Sequence, residues 1–255
     1  MEKFIQTISK KASAVVLERF GKVGVKYMKS DQAWDCVTEA DLMSERLIIN
    51  AIQRSYPEHG IISEERGRIN DTAEYVWIID PIDGTLNFVS GVPMFGVMIC
   101  LARRGKVILS TINLPATREF FFAQRGKGAY LNGKRIRCSK AKTLHHSFGV
   151  GSASLRSRTA KFLRKLLAAG IEQNIQLGSF GSIAPNACYV ACGRRDWIVP
   201  LLGALHDFAP ISLILKESGC KVTDTKGKPW KLGQLEMVAA NPTLHKQLLK
   251  LTKNI

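Results

Sequence analysis

No apolar run in this 255-residue chain reaches the roughly 20 residues that a membrane-spanning helix needs. The longest candidate, 92–102, is too short and reads as a buried strand. The N-terminus, Met1-Glu2-Lys3-Phe4, lacks a signal-peptide core, so a cytoplasmic location and no membrane association are the expectation. There is no CxxC pair. The six cysteines (Cys36, Cys100, Cys138, Cys188, Cys192, Cys220) are scattered, and no cluster of His and Cys supplies the four close ligands of a structural zinc site. Buried thiols in a reducing compartment are the reading that remains. Low-complexity linkers and internal repeats are also missing. With 45% hydrophobic and 23% charged residues mixed along its length, the chain has enough apolar material for a substantial core.

Acidic residues are scarce as well. Against 37 Lys and Arg stand 21 Asp and Glu, a formal charge of +16. Such a balance fits nucleic acid, an anionic substrate or simply a basic surface. One block (Arg125, Lys127, Lys134, Arg135, Arg137, Lys140, Lys142) contains no acid, and a second gathers Arg156, Arg158, Lys161, Arg164 and Lys165. Neither is interleaved with aromatics suited to stacking on bases, which favours a solvated face over a nucleic-acid partner.

Apolar spacing predicts a helix at the N-terminus, from Phe4, Ile5, Ile8, Ala12, Val15, Val16 and Phe20. A second is expected over 41–55, stopped by Pro57. A short strand begins at Ile61-Ile62 and ends at Ser63-Glu64-Glu65. Strands follow at 75–80, 95–102, 106–113 and 119–123, with a hairpin signal at Asn132-Gly133. The second half alternates: strand 147–152, helix 157–169, strand 174–177, helix 182–192, strand 196–199, helix 207–218, strands 220–223 and 236–240, and a helix 242–252. A meander in front and alternation behind imply an α+β fold, with helices layered between sheets.

The segment that carries chemistry is Trp77-Ile78-Ile79-Asp80-Pro81-Ile82-Asp83-Gly84-Thr85-Leu86-Asn87-Phe88. An apolar strand delivers Asp80 to its C-terminal end, Pro81 is expected to stop the strand, and Asp83 follows within a tight turn. Gly84 lets backbone approach a ligand closely, and Thr85 adds a hydroxyl. A helix starting near Gly84 would aim free N–H groups at an anion. Two carboxylates facing one cavity suit a hard cation such as Mg²⁺, which takes carboxylates together with phosphate and water. Asp-Pro and Asp-Gly alone are ordinary turn dipeptides; the longer stretch is far more specific.

This stretch resembles the first motif of the inositol monophosphatase family of lithium-sensitive, magnesium-dependent phosphatases. Asp35-Cys36-Val37-Thr38-Glu39-Ala40-Asp41 resembles the family's D-x-V-T-x-x-D, and Ile62-Ser63-Glu64-Glu65 its G-E-E with serine for glycine. Gly126-Lys127-Gly128-Ala129-Tyr130-Leu131-Asn132-Gly133 resembles its G-x-G-A-x-x-N-G hairpin. His206-Asp207-Phe208-Ala209, followed by Glu217-Ser218-Gly219-Cys220, is similar to W-D-x-A and E-A-G-G. The likeness covers nearly the whole chain. It implies an α/β/α/β/α sandwich over 1–255 as one catalytic domain, with sub-lobes near 1–145 and 146–255. It implies a first Mg²⁺ on Glu64, Asp80 and the Ile82 carbonyl, a second on Asp80, Asp83 and Asp207, and a third, weaker ion sharing Glu64. It also implies phosphate on the Gly84 and Thr85 N–H groups and a water-activating Asp41–Thr85 pair. Asp83, Gly84, Thr85, Gly181, Ser182, Ile183 and Asp207 become substrate contacts, Glu64, Asp41 and Thr85 catalytic groups, Li⁺ an inhibitor and a homodimer the assembly.

Three positions depart from the pattern. Pro200 stands where inositol-hydrolysing members carry a glutamate that contacts sugar hydroxyls. A proline ending a strand is ordinary, yet it also removes a polyol acceptor and with it discrimination for that polyol. His206 replaces a tryptophan beside the metal aspartate, as a helix-cap neighbour or as a support for the site. Ile183 is bulkier than the usual alanine and narrows the pocket. The substrate implied is a small phosphorylated metabolite: inositol monophosphate or a related sugar phosphate. Fructose 1,6-bisphosphate, histidinol phosphate and 3′-phosphoadenosine phosphates are the alternatives within the family. Some bacterial relatives associate with transcription machinery, so a nucleic-acid-associated binding role is the alternative outside enzymology.

Overall fold

The computed structural model describes residues 1–31, 36–151 and 157–253, the side chains of 157 and 171–173 excepted. Asp35 of the D-x-V-T-x-x-D stretch, Arg156 of the second basic block and the last residue of the strand expected over 147–152 lie outside the described residues.

The first half runs α1 (Glu2–Arg19), β1 (Val25–Met28), β2 (Cys36–Thr38), α2 (Glu39–Ser55), β3 (Gly60–Ser63), β4 (Gly67–Ile69), β5 (Tyr75–Asp83), α3 (Thr85–Val89), β6 (Gly96–Arg103), β7 (Lys106–Leu114), β8 (Glu119–Gln124), β9 (Gly128–Leu131) and β10 (Lys134–Arg135). The second half runs β11 (Phe148–Val150), α4 (Ser157–Gln173), β12 (Gln176–Gly178), α5 (Ile183–Ala191), β13 (Trp197–Ile198), α6 (Leu205–Glu217), β14 (Lys221–Thr223), β15 (Val238–Ala240) and α7 (Pro242–Thr252). An eight-stranded sheet takes the order β10-β9-β8-β7-β6-β5-β3-β4, and a five-stranded sheet the order β12-β11-β13-β15-β14.

Strand periodicity sorts the layers. On β5, Trp77 and Ile79 face one side with Val97, Ile99 and Leu101, and pack on Ile5 and Ile8 of α1 and Ile48 and Ile52 of α2. Val76 and Ile78 face the other side with Met98 and Cys100. There they meet α5 (Ala187, Val190), α6 (Phe208, Ile211, Ile214) and the inner face of the small sheet (Val150, Ile198, Ala239). The outer face of the small sheet, Trp197, Val238 and Ala240, is covered by Phe162 and Leu166 of α4 and Leu244 and Leu248 of α7. The result is the layered α/β/α/β/α arrangement. Cys36, Cys100, Cys188 and Cys220 are buried, Cys138 and Cys192 half-buried.

Three differences from the sequence-based expectation bear on function. The strand expected over 75–80 continues to Asp83. The strand expected to run into Glu64-Glu65 stops at Ser63. An unforeseen β1–β2 ribbon carries Lys29 just past its first strand.

Candidate active site

Residues three apart on a regular strand point to opposite faces. Between Asp80, which pairs with Met98, and Asp83, which pairs with Gly96, β5 uses three residue steps against two on β6. The extra residue is a bulge, and Pro81, which has no ladder donor, sits inside it. The bulge restores the parity, so both carboxylates face the α5–α6 layer while Ile82 turns to the α1–α2 side. Ser44 Oγ of α2 donates to the Pro81 carbonyl at 3.1 Å and fixes this turn.

Three helix N-termini then converge on the bulge. Asp83 accepts from the Ile183 N–H (3.2 Å) and the Ala184 N–H (2.6 Å) in the first turn of α5, and from the Ser182 hydroxyl. Asp207 lies in the first turn of α6 and accepts from the Ala204 N–H at 2.5 Å. Asp41 lies in the first turn of α2, where Thr38 N–H donates to it at 2.8 Å and Thr38 Oγ1 at 2.5 Å. The free Asp41 oxygen meets Thr85 Oγ1 at 3.2 Å, and that hydroxyl is also 2.9 Å from the Ile82 carbonyl. Gly84 joins β5 to α3 with φ 85°; a Cβ there would stand 2.7 Å from Ser182 Cβ and 3.0 Å from the Met94 carbonyl. Both the backbone angle and the space therefore require glycine. Gly203 is constrained in the same way: φ is 146°, and a Cβ would lie 2.5 Å from Asp207 Oδ2.

Glu64 follows the end of β3, and β3 runs parallel to β5 with Ser63 opposite Ile79, so Glu64 comes level with Asp80. Beyond Ser63 the chain turns instead of extending. Buried Glu45 of α2 holds the turn, accepting from the Glu65 N–H (3.0 Å), the Arg66 N–H (2.9 Å) and the Ser63 hydroxyl. A continuing strand would send Glu65 away from Glu64. The turn lets both reach Lys29, at 2.7 Å from Glu64 and 2.5 Å from Glu65. His206 Nε2 is 3.9 Å from Glu64 Oε2.

Two sets of ligand atoms result, each within 4.8 Å of one another: Glu64, Asp80 and His206 in the first, Asp80, Asp83 and Asp207 in the second. Asp80 belongs to both. It is 1% exposed, and its Oδ1 is buried with no hydrogen-bond partner.

The electrostatics are those of a site short of positive charge. Burial pushes the Asp83 carboxyl up to about 7, helped by Asp207 and opposed by its bonds to Ser182, Ala184 and Ile183. Burial likewise lifts Asp41 to about 6 against the Thr38 bonds, and Asp207 to about 6 against the Ala204 bond. Asp80 is raised well above the ordinary aspartate value by burial and by Glu64, Asp83 and Asp207. For Asp83 the rise corresponds to on the order of 4 kcal/mol of lost preference for the charged form. A helix N-terminus returns only roughly 0.3–1 kcal/mol. Burial pulls the Lys29 ammonium toward neutrality, but Glu64 and Glu65 outweigh it and raise its pKa. Burial lowers the His206 imidazole, which leaves a neutral ring beside Glu64.

The arrangement thus gathers Asp41, Glu64, Asp80, Ile82, Asp83, Gly84, Thr85, Ser182, Ile183 and Asp207 around one bulge. Gly181 stands beside Asn87, whose side-chain N–H groups donate to the Met94 carbonyl (2.6 Å) and the Phe180 carbonyl (2.7 Å), pinning α3 to the loop before α5. Pro200 is buried, and its carbonyl accepts from the Met237 N–H at 2.9 Å. Lys29, Glu45 and Ser44 escaped the sequence reading. Only their neighbours in space connect them to the cluster, and no spacing in the sequence marks them.

A layered α+β chain with a carboxylate-rich cluster at the joint of strand ends and helix N-termini offers the donors of a cation site. The model of the inositol monophosphatase family matches residues 1–255. A protein of Vibrio cholerae named Nus factor SuhB is 38% identical over 218 residues, covering 85% of this chain and 82% of its own. A Thermotoga maritima protein named fructose-1,6-bisphosphatase/inositol-1-monophosphatase is 34% identical over 221 residues, covering 87% and 84%. The crystal structure of the extragenic suppressor protein SuhB of Bartonella henselae superposes with a TM-score of 0.89 at 29% identity, over 99% of this chain and 98% of that one. The chain belongs to the inositol monophosphatase family.

Proposed function

We propose that this protein is a Mg²⁺-dependent phosphatase that hydrolyses a small phosphate monoester, inositol monophosphate or a related sugar phosphate. The observation that carries the proposal is Asp80: a fully buried carboxylate, shared by two ligand sets, with one oxygen that no protein donor satisfies. A buried carboxylate oxygen without a donor is costly, and a cation removes the cost. The donors are nearly all carboxylate oxygens, which suits Mg²⁺. Glu64, Asp80 and the Ile82 carbonyl would hold one ion; Asp80, Asp83 and Asp207 a second; Glu64 is left to share a third. When bound, such ions supply the positive charge that acidifies a water and stabilises the departing alkoxide.

The chain's own groups do the rest. The Gly84 and Thr85 N–H groups open α3 and would receive phosphate oxygens. The Thr85 hydroxyl has one proton and two acceptors in reach, Asp41 and the Ile82 carbonyl. Donating to Asp41, it turns its lone pairs outward to orient and deprotonate a water, and Asp41, at about 6, is matched to take a proton near neutrality. Gly181, Ser182 and Ile183 would line the substrate side of the cleft. Attack on phosphorus then needs positioning and charge neutralisation, with no covalent enzyme intermediate. By analogy with the family the active assembly is a homodimer.

A panel of inositol 1-phosphate, fructose 1,6-bisphosphate, histidinol phosphate and 3′-phosphoadenosine 5′-phosphate, assayed for phosphate release at millimolar Mg²⁺, tests the proposal. Release from at least one is expected; release from none overturns it. A second reading, a transcription-associated binding role, draws on the +16 charge and on the relative named Nus factor SuhB. Salt-sensitive RNA retention without turnover on the panel would favour it.

A further inference from the structure

Away from the carboxylates, four separate stretches of chain line a half-open cavity of 520 Å³, within the size range of small-molecule sites. The β6–β7 turn contributes Arg104 and Lys106, the end of β8 Arg125, the last turn of α6 Lys216, and the loop before β15 Lys231. The floor is apolar, with Val107, Leu213, Val222 and Leu232 beside Trp230. No acidic residue lines it. Arg104 is 3.3 Å from Glu74, which it shares with Arg103, while Lys106, Arg125, Lys216 and Lys231 have no acid partner among the described residues. Arg125 is fixed in place: its Nε donates to the Val107 carbonyl at 2.8 Å, and its two terminal amino groups stay uncommitted.

The cavity is distinct from the carboxylate cluster. Arg103, one residue before Arg104, pairs with Tyr75 at the start of β5, five residues before Asp80 (80 − 75), or about 17 Å along the strand. Lys216 lies nine residues after Asp207 (216 − 207), about 14 Å along α6. A run of lysines on one helix face would be an ordinary solvated surface. Here the fold brings cations from distant parts of the sequence to one concavity, where a multiply charged anion can meet several of them at once. Arg125 belongs to the acid-free block of the sequence, and this cavity is where that residue ends up.

We propose that this cavity binds a small organic phosphate with two or more phosphoryl groups and a planar or apolar body. The phosphoryl oxygens meet Lys106, Arg125, Lys216 and Lys231, and the body rests on Trp230 and Leu213. Charge complementarity and the apolar floor select this class. The site uses none of the carboxylates and stands or falls independently of the phosphatase proposal.

The test is calorimetric titration of the full chain with ADP in excess chelator, so that no metal assists binding at the carboxylates. Two variants accompany the wild type: Lys106→Glu/Lys231→Glu in the cavity wall, and Lys161→Glu/Lys250→Glu, an equal charge change on exposed helix positions elsewhere. Circular dichroism melting confirms that both fold. The expected result is saturable binding to the wild type, weakened by about tenfold or more in the cavity variant, because two charge-assisted contacts are lost. The control variant should bind as the wild type does. Absence of saturable binding, or equal weakening in both variants, would overturn the site. Pyrophosphate binding as tightly as ADP would overturn the role of the apolar floor.

Discussion

The two ends of α6 differ in sign. At its N-terminus half-buried Asp207 joins buried Asp80 and Asp83 and half-buried Glu64 in a cluster whose aspartates are all pushed toward protonation. At its C-terminus Lys216 joins Lys106, Arg125 and Lys231, exposed cations without an acid partner among the described residues. The helix dipole favours both placements, yet its roughly 0.3–1 kcal/mol per end is small beside the burial cost of the acids. The difference lies in burial. The acidic end is largely buried and held by glycines that admit no side chain, so its ionisation is costly without cations. The basic end is exposed to solvent.

The sharpest way to break this contrast is Asp83→Asn. It removes one metal ligand and no core volume, so phosphate release should fall by about a thousandfold or more. In chelator at pH 8 the same variant should melt no lower than wild type, because an uncompensated buried charge has gone. Activity within a few-fold of wild type would take Asp83 out of the metal site. Next comes Thr85→Ala, expected to lower turnover by about a hundredfold through loss of the water-orienting hydroxyl. Metal affinity, read by Mn²⁺ titration, should hold; a parallel loss of affinity would make Thr85 structural.

A third test uses pH. Asp41, Asp83 and Asp207 rise from an ordinary value of 3.8 to about 6, 7 and 6 in the fold. Folded protein then binds more protons than unfolded chain between these values, so their contribution is greatest below about 4 and is lost as pH rises through 6–7. The melting temperature in chelator should therefore fall from pH 5 to pH 8, and Mg²⁺ should flatten the decline. A rise with pH in chelator would contradict the assigned burial. The smallest effect belongs to Pro200→Glu, which restores a polyol acceptor. Selectivity for inositol 1-phosphate over the other panel members should increase by up to about tenfold. An unchanged preference would remove Pro200 from the question of substrate.

Much of the acidic end was legible in sequence because its residues sit in contiguous motifs that end strands and start helices. Asp41, Asp83 and Asp207 each follow a local rule of capping or turn chemistry. The bulge was not legible: Pro81 read as the end of a strand, whereas pairing with β6 resumes at Asp83 and turns the carboxylate to the right face. The strand was carried into Glu64-Glu65 for a related reason, since only Glu45, twenty residues before Glu65, reveals that the chain turns after Ser63. Lys29 lies just past the first strand of a ribbon with no strong periodicity. The basic cavity draws on four stretches of chain, and Arg125 was the one member that stood out, inside a block whose destination the sequence could not indicate.

The central claim is that the buried carboxylates are a divalent-cation site that serves phosphate release. Phosphate release from the best panel substrate should be measured while Mg²⁺ is titrated into chelator-treated protein. The account predicts no release without Mg²⁺, a saturable rise to millimolar Mg²⁺, and no such rise in Asp83→Asn. Release that persists in chelator, or that rises equally in Asp83→Asn, would contradict it.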